Sequence, residues 1–243
     1  MLIKQTTAVT TRVLRQLAHD RRFVALSLVV PLVVIYMLWI FFDAAEIPFF
    51  DVNAFVPSVS AFIVHFITYV LCAIVLVRER SQQTLTRMFV SGYQRTSIIA
   101  GYLVAYSLLA TVQSLIVLLA LNVMFGLHYA PGTFLALYGV IWLLAVISIA
   151  LGIFISNFAR NEGQVFPFIP LILMPSVFFS GMLLPVSDLP GWAQWLRVVT
   201  PMYYANEGIQ AIIGTGSIAF VLGLVIYGVV VLGLAVTTLR ESV

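Results

Sequence analysis

Charged residues are absent from five long stretches of this chain, and these stretches determine its fold class. They cover residues 23–42, 52–77, 96–159, 163–187 and 208–239. Each can hold a helix of about 20 apolar residues, the length that crosses a bilayer, and the longest can hold two, joined near Gly126–Gly132. The pattern predicts an all-α membrane protein with six spans, at about 23–42, 57–77, 97–125, 132–155, 164–185 and 217–239.

The basic residues fall on one side of these spans. With the N-terminus in the cytoplasm, eleven of the twelve lysines and arginines lie inside, and Arg197 alone lies outside. Cytoplasmic loops are enriched in Lys and Arg, so this asymmetry predicts the orientation and places both termini in the cytoplasm. The eleven are Lys4, Arg12, Arg15, Arg21, Arg22, Arg78, Arg80, Arg87, Arg95, Arg160 and Arg240.

Composition excludes a soluble domain. The chain is 62% hydrophobic and only 9% charged, with a mean hydropathy of +1.11. Almost all of its length is needed for the spans, so residues 1–243 are expected to form a single transmembrane domain. The basic excess lies beside span ends, where it meets anionic lipid head groups, and it does not indicate a nucleic-acid partner.

Two segments outside the spans have the pattern of helices that lie in the membrane interface. Residues 3–20 place Val9, Val13 and Leu17 on one face, with cationic side chains on the other. Residues 186–210 combine turn formers with Trp192 and Trp195, and aromatic residues of this kind anchor segments at the membrane surface. We expect this second segment to form short helices at the external interface.

The loop 78–96 is the longest predicted cytoplasmic segment. Leu85, Met88 and Phe89 are spaced at i, i+3 and i+4, which predicts a short amphipathic helix that ends at Gly92. A solvated basic loop is the alternative. We favour a docking helix, because these three apolar side chains would otherwise face water or lipid head groups.

The predicted fifth span is interrupted by proline. Pro167, Pro170 and Pro175 cannot all lie in one unbroken helix, because each lacks the backbone N–H that a helix interior uses. Irregular backbone at membrane depth is tolerated only where protein packs against it or where it lines a cavity.

Catalytic and cofactor motifs are absent from the sequence. A phosphate-binding P-loop needs a lysine after a glycine-rich turn, and the only lysine, Lys4, has no glycine near it. The three histidines are scattered, so no metal site is indicated. His65 lies near the middle of a span, where it could line a transport pathway or could be a neutral imidazole that hydrogen-bonds a neighbouring helix.

Several local sequences resemble the permeases of type-2 ABC exporters, which include bacterial drug and lipid exporters and the G-subfamily half-transporters. Arg78-Glu79-Arg80 with Thr84-Leu85 is similar to the family run E-R-E…G-T-L. The stretch from Ser91 to Ser97, followed by Gly101, resembles S-G-Y-x-R-x-S…G-K, and the stretch from Phe179 through Trp195 to Tyr203 resembles F-S-G-L-L…W-x-x-W-L…P-x-Y. Gln83, Tyr102 and Met182 depart from these patterns.

The resemblance assigns roles to three groups of residues. The first internal loop would dock on an ATP-binding subunit, through Glu79, Arg80, Leu85, Arg87, Met88, Phe89, Gly92 and Arg95. The second and fifth spans of two opposed protomers would enclose the substrate, with walls formed by Phe62, His65, Phe66, Tyr69, Pro170, Met174, Val177 and Phe178. Met182 and Leu183 would form the exit valve, with residues 186–210 as the external lid.

The resemblance also implies the partners and the mechanism. Two permease chains, identical or related, would pair above two ABC ATP-binding subunits in the inner or plasma membrane of a prokaryotic cell. This chain would be a non-catalytic subunit without a bound cofactor, and ATP with Mg²⁺ would bind the partner ATPase. It would export a drug-like or lipid-like molecule by alternating access.

Three alternatives stay open from the sequence. The same architecture exports lipid-linked polysaccharides. An ion-coupled carrier or channel acting alone usually carries several carboxylates within its spans, and here every Asp and Glu falls outside the predicted spans. An intramembrane enzyme would need a nucleophile and a base brought together, and no such pair is apparent.

Overall fold

The computed structural model describes residues 2–45, 52–214, 217 and 219–239. The described chain contains helices and connecting segments without strands, which confirms the all-α fold class. Its α-helices are α1 (Leu2–His19), α2 (Arg21–Ala45), α3 (Val52–Ser81), α4 (Thr84–Val90), α5 (Arg95–Met124), α6 (Pro131–Ser156), α7 (Phe168–Phe178), α8 (Gly191–Leu196), α9 (Pro201–Ile213) and α10 (Ala219–Thr238). Short 3-10 helices cover Glu162–Val165, Val186–Asp188 and Arg197–Val199.

Five helices are long and apolar enough to cross a membrane: α2, α3, α5, α6 and α10. Their bounds lie close to five of the six predicted spans. Arg240, on which part of the predicted orientation depends, and part of the first external loop lie outside the described residues.

The segment predicted as the fifth span, 164–185, is not one continuous helix. A 3-10 turn precedes the 11-residue α7, and residues 179–185 continue without helical structure. Pro167 caps α7 and Pro170 falls in its first turn, where a missing N–H costs no hydrogen bond, while Pro175 is tolerated in its interior. At about 1.5 Å per residue, α7 covers only about half of a bilayer core.

Two carboxylates fall within the long helices, because these helices extend beyond the apolar stretches. Asp43 is near the end of α2, and Glu79 lies in the last turn of α3. Both residues lie outside the predicted spans 23–42 and 57–77. Both are near helix ends, and neither is in the middle of a span.

The core is centred on the pair α3 and α6, which cross in close contact. Gly152 of α6 lies against the backbone of α3, where a Cβ atom would be 3.0 Å from the Ala73 nitrogen and from the Tyr69 carbonyl oxygen. Fully buried Leu, Ile and Val side chains of α5 and α6 complete this core. The remaining long helices pack around it, and α2 is the most exposed of them.

The basic residues of α1, α3 and α4 gather at one end of the bundle, which we call the basic end. There α1 packs along the start of α5, and the ends of α3, α6 and α10 come together. At the opposite, or far, end α9 contacts the start of α3 and the segment that follows α7. The positive-inside pattern predicts that the basic end is cytoplasmic.

Candidate functional site

The predicted docking helix forms as α4, but its apolar residues face inward. Leu85 is 3% exposed and Met88 9%, and Phe89 is partly buried against the same core. The argument that these side chains need a partner to leave water is therefore wrong, because they already pack against the core of the folded chain. Arg87 and Val90 form the outward face of α4, and Val90 is 85% exposed.

Glu79 is the centre of a buried polar cluster at the basic end. Its carboxylate, only 3% exposed, forms an ion pair with Arg12 of α1. The Arg12 guanidinium also donates to the Tyr102 hydroxyl of α5 (3.3 Å). Burial opposes the charge on Arg12, but Tyr102 and Glu79 outweigh it and raise the pKa of Arg12 above its ordinary value. The cluster joins α1, α3 and α5.

Two further contacts fix α1 to the segment that connects α4 with α5. The Gln5 amide nitrogen donates to the Gly92 carbonyl (3.0 Å), and the Gln5 amide oxygen accepts from the Gln94 backbone N–H (3.2 Å). Gly101 lies directly against Val9, where a Cβ atom would be 2.5 Å from the Val9 Cβ. Gly101, the second glycine of the S-G-Y-x-R-x-S…G-K pattern, therefore allows α1 to approach α5 closely.

Arg80 is directed into the protein, away from the predicted docking surface. Its guanidinium donates to the Ser156 carbonyl (2.5 Å) and to the Asn157 side-chain oxygen (2.7 Å). The Asn157 amide nitrogen donates in turn to Thr238 of α10 (2.9 Å). Arg80 thus ties α3 to α6 and α10. Of the eight residues predicted for coupling, Arg87, Gly92 and Arg95 are the exposed ones.

A cleft of about 190 Å³ opens between α1 and α4. Its lining is amphipathic, with Val9 and Met88 beside Arg12, Arg87 and the hydroxyl groups of Thr84, Ser91 and Tyr93. The cleft and the outward face of α4 together form the surface at this end that a partner could contact.

The α3 wall of the predicted cavity separates into two faces. Phe62 and Phe66 stack in parallel with ring centroids 6.3 Å apart, and Phe66 is 38% exposed. His65 and Tyr69 are fully buried on the other face. The Tyr69 hydroxyl donates to the Phe168 carbonyl (3.2 Å) at the start of α7. Only the phenylalanine face is open in the single chain.

His65 bridges three helices. One ring nitrogen is 2.7 Å from the Ser148 hydroxyl of α6, and the other is 3.3 Å from the Ser176 hydroxyl of α7. A neutral imidazole donates to one of these hydroxyls and accepts from the other, and each serine oxygen is also within hydrogen-bond distance of a carbonyl oxygen of its own helix. This geometry is that of a buried imidazole holding helices together, the second of the two interpretations that the sequence left open.

Replacing His65 with alanine should therefore lower the stability of the protein. We expect a loss of about 2–3 kcal/mol in the free energy of unfolding, because the change removes a buried ring and both hydrogen bonds. Phe66→Ala is the matched control, since its ring lies on the same helix but is exposed, and it should cost less than about 1 kcal/mol. Unfolding in detergent measures both; equal losses would contradict the bridging role.

The α7 wall is mostly open. Pro170, Met174 and Phe178 are exposed along one face, and Val177 is partly buried. Met174 and Phe178 also line an apolar cleft of about 330 Å³ toward α8, where the Phe179 ring meets Trp192 edge to face at 6.3 Å. Phe66, in the middle of α3, and this face of α7 are thus exposed apolar positions in the single chain.

The two residues predicted to form the valve follow a tight turn after α7. Gly181 has φ +79°, which favours glycine, and this turn directs Met182 against the core while Leu183 remains 42% exposed. Asn206 of α9 reaches the same turn. Sequence reasoning did not single out Asn206, Arg12 or Val90, since nothing in their local pattern identifies their long-range neighbours.

These features define an all-helical, multi-pass membrane protein with a buried polar cluster at its basic end and exposed apolar side chains on α3 and α7. The chain belongs to the ABC-2 type transporter family, whose model matches residues 4–214. This confirms the family that the sequence motifs indicated.

Three relatives illustrate the range of the family. The probable multidrug ABC transporter permease YbhR of Escherichia coli K12 is 28% identical over 152 residues, which are 63% of this chain and 41% of that protein. ABC transporter G family member 20 of Dictyostelium discoideum is 27% identical over 58% of this chain and 19% of its own length. The linearmycin resistance permease protein LnrN of Bacillus subtilis is 25% identical over 58% of this chain and 36% of its own length. The chain thus matches less than half of each relative.

Proposed function

We propose that this chain is the membrane subunit of an ATP-driven exporter for an apolar or amphipathic, drug-like or lipid-like molecule. The observation that carries the proposal is the family match over residues 4–214. Two of the relatives are named for multidrug transport and for linearmycin resistance. The exposed side chains of Phe66, Met174 and Phe178 suit such a substrate, because Met and aromatic side chains adapt to varied shapes.

The transport cavity requires a second permease chain, identical or related. A single chain leaves the exposed parts of α3 and α7 open on one side, and two such faces opposed across a dimer would enclose a substrate. Met182 and Leu183 would close the external end of that cavity. The substrate would enter from the cytoplasm or the inner leaflet and leave by alternating access between two conformations of the pair.

ATP hydrolysis would take place on a separate ABC ATP-binding subunit, which binds ATP with Mg²⁺. Since Leu85 and Met88 are buried, we assign the contact with that subunit to the outward face of α4, formed by Arg87 and Val90, and to the cleft beside it. An exposed apolar side chain beside an arginine is a typical centre for a protein interface. Motion of α4 would reach the core through Glu79, Arg80 and the contacts of α1.

Val90→Asp should abolish co-purification of the ATPase with the tagged chain from its native membranes, because it places a carboxylate at the centre of the contact. Association should fall at least about tenfold, while the thermal stability of the chain stays unchanged. Ile3→Asp is the control, since Ile3 is equally exposed at the basic end but lies on α1. It should retain the ATPase.

Leu85→Asp distinguishes docking from folding, because it buries a charge and should reduce the amount of folded chain. ATPase retained by Val90→Asp would overturn the α4 assignment. A stable dimer purified from native membranes with no ATPase would overturn the proposed function itself.

A further inference from the structure

The turn Ser180–Met182 joins the end of α7 to the 3-10 helix Val186–Asp188, and it carries the first residue of the proposed valve. Its backbone is held at several points. The Met182 N–H donates to the Ser180 hydroxyl oxygen (3.3 Å), and Gly181 adopts φ +79°. A Cβ atom at Gly181 would lie 3.1 Å from the Val186 side chain and 3.3 Å from the Asn206 amide nitrogen. The turn is therefore packed directly on Asn206.

Asn206 uses both ends of its carboxamide. The side-chain nitrogen donates to the Ser180 carbonyl (3.1 Å), and the side-chain oxygen accepts from the Ser58 hydroxyl of α3 (2.6 Å). The side chain is 2% exposed, so neither contact competes with water. An amide with a partner on each side has its orientation fixed, because rotating it would lose both bonds.

We propose that Asn206 is a positioning residue that holds the Ser180–Met182 turn in register with α3 and α9. This amide is a direct polar link between the turn and the two helices. A shift of α9 relative to α3 must therefore either carry the turn along or break a buried hydrogen bond. The role of the turn as an exit valve rests on the proposed function. The position of the turn does not depend on that function.

Cysteine labelling tests the position of the turn without any transport assay. Met182→Cys, in the full-length chain in membranes, is reacted with a membrane-impermeant maleimide added from the external side. Cys72 is 1% exposed, so the chain without the substitution supplies the background. Asn206→Asp keeps the acceptor for Ser58 but replaces the donor to Ser180 with a carboxylate that repels the carbonyl. We expect labelling to accelerate roughly tenfold.

Two matched variants separate loss of this contact from general loosening. Tyr204→Phe removes one hydrogen bond from the same helix, the bond to the Val198 carbonyl, and should change labelling less than about twofold. Ser58→Ala keeps the bond to Ser180 and should accelerate labelling less than Asn206→Asp does. Where Asn206→Asp yields no folded protein, Asn206→Leu replaces it with an uncharged side chain of similar size.

The outcomes are distinct. Labelling of the Asn206 variant no faster than that of Tyr204→Phe, or no faster than that of Ser58→Ala, overturns the positioning role. Faster labelling specific to Asn206 supports it. A transport assay on the complete complex then tests the valve separately. If labelling accelerates while export is unchanged, Asn206 still positions the turn, and the role of Met182 as a valve is the part that fails.

Discussion

Gly152→Val should cost at least about 3 kcal/mol in the free energy of unfolding, among the largest effects of any single substitution in this chain. A Cβ atom at this position would lie 3.0 Å from two backbone atoms of α3 and from the Cys72 Cβ. Backbone atoms cannot rotate away, so α3 and α6 would have to separate along the pair that forms the core. Denaturation in mixed detergent, followed by helix content, measures the loss.

Gly139 supplies the control for this substitution. It lies on the same helix, α6, and a Cβ atom there would meet nothing within 4 Å. Gly139→Val should leave stability unchanged or slightly increased, because glycine is a poorer helix former than valine. Equal destabilisation by both substitutions would contradict this explanation, because it would show that α6 tolerates added side-chain volume at neither position.

Arg12→Ala should destabilise the chain by about 2–3 kcal/mol, and more than Glu79→Gln does. The asymmetry follows from exposure: the Glu79 side chain is 3% exposed, whereas that of Arg12 is 35% exposed. Without Arg12 the Glu79 carboxylate loses its charge partner and stays buried. Without the Glu79 charge, Arg12 can still reach water and Gln16.

A double-mutant cycle measures this coupling. Arg12→Ala combined with Glu79→Gln should be more stable than Arg12→Ala alone, because the second change removes the unpaired charge. Arg15→Ala, an exposed arginine on the same helix, should change stability by less than about 0.5 kcal/mol. If Glu79→Gln cost more than Arg12→Ala, the burial argument would be contradicted.

The sequence predicted the class of the fold because the dominant signal was local. Apolar stretches of span length, and the joint near Gly126–Gly132, placed five long helices within a few residues of their bounds. The helical structure of the predicted fifth span was harder to predict, because its prolines shorten the continuous helix while the segment as a whole remains apolar. Its division into a 3-10 turn and α7 depends on the position that each proline occupies relative to the start of the helix.

The candidate site was less predictable, because it depends on contacts between residues far apart in the chain. The spacing of Leu85, Met88 and Phe89 indicated an apolar face on α4, but spacing does not reveal which neighbour covers that face. Likewise, nothing near Asn206 in the sequence indicates Ser58 or the Ser180 carbonyl. Gly101 was recognisable as part of a motif. The reason for a glycine at this position, its close contact with Val9, is apparent only in the folded chain.

The attachment of α1 also bears on how the protein is made. During synthesis α1 leaves the ribosome before α3 and α5, but its partners come much later in the chain. Glu79 comes 67 residues after Arg12, and Gly101, whose carbonyl accepts from the Thr10 hydroxyl, comes 91 residues after Thr10. The nascent helix must therefore wait until α3 and the start of α5 have been inserted. Its amphipathic sequence allows it to stay adsorbed on the membrane surface until then. Helix α1 is therefore translated before α3 and α5 but should reach its final position only after them.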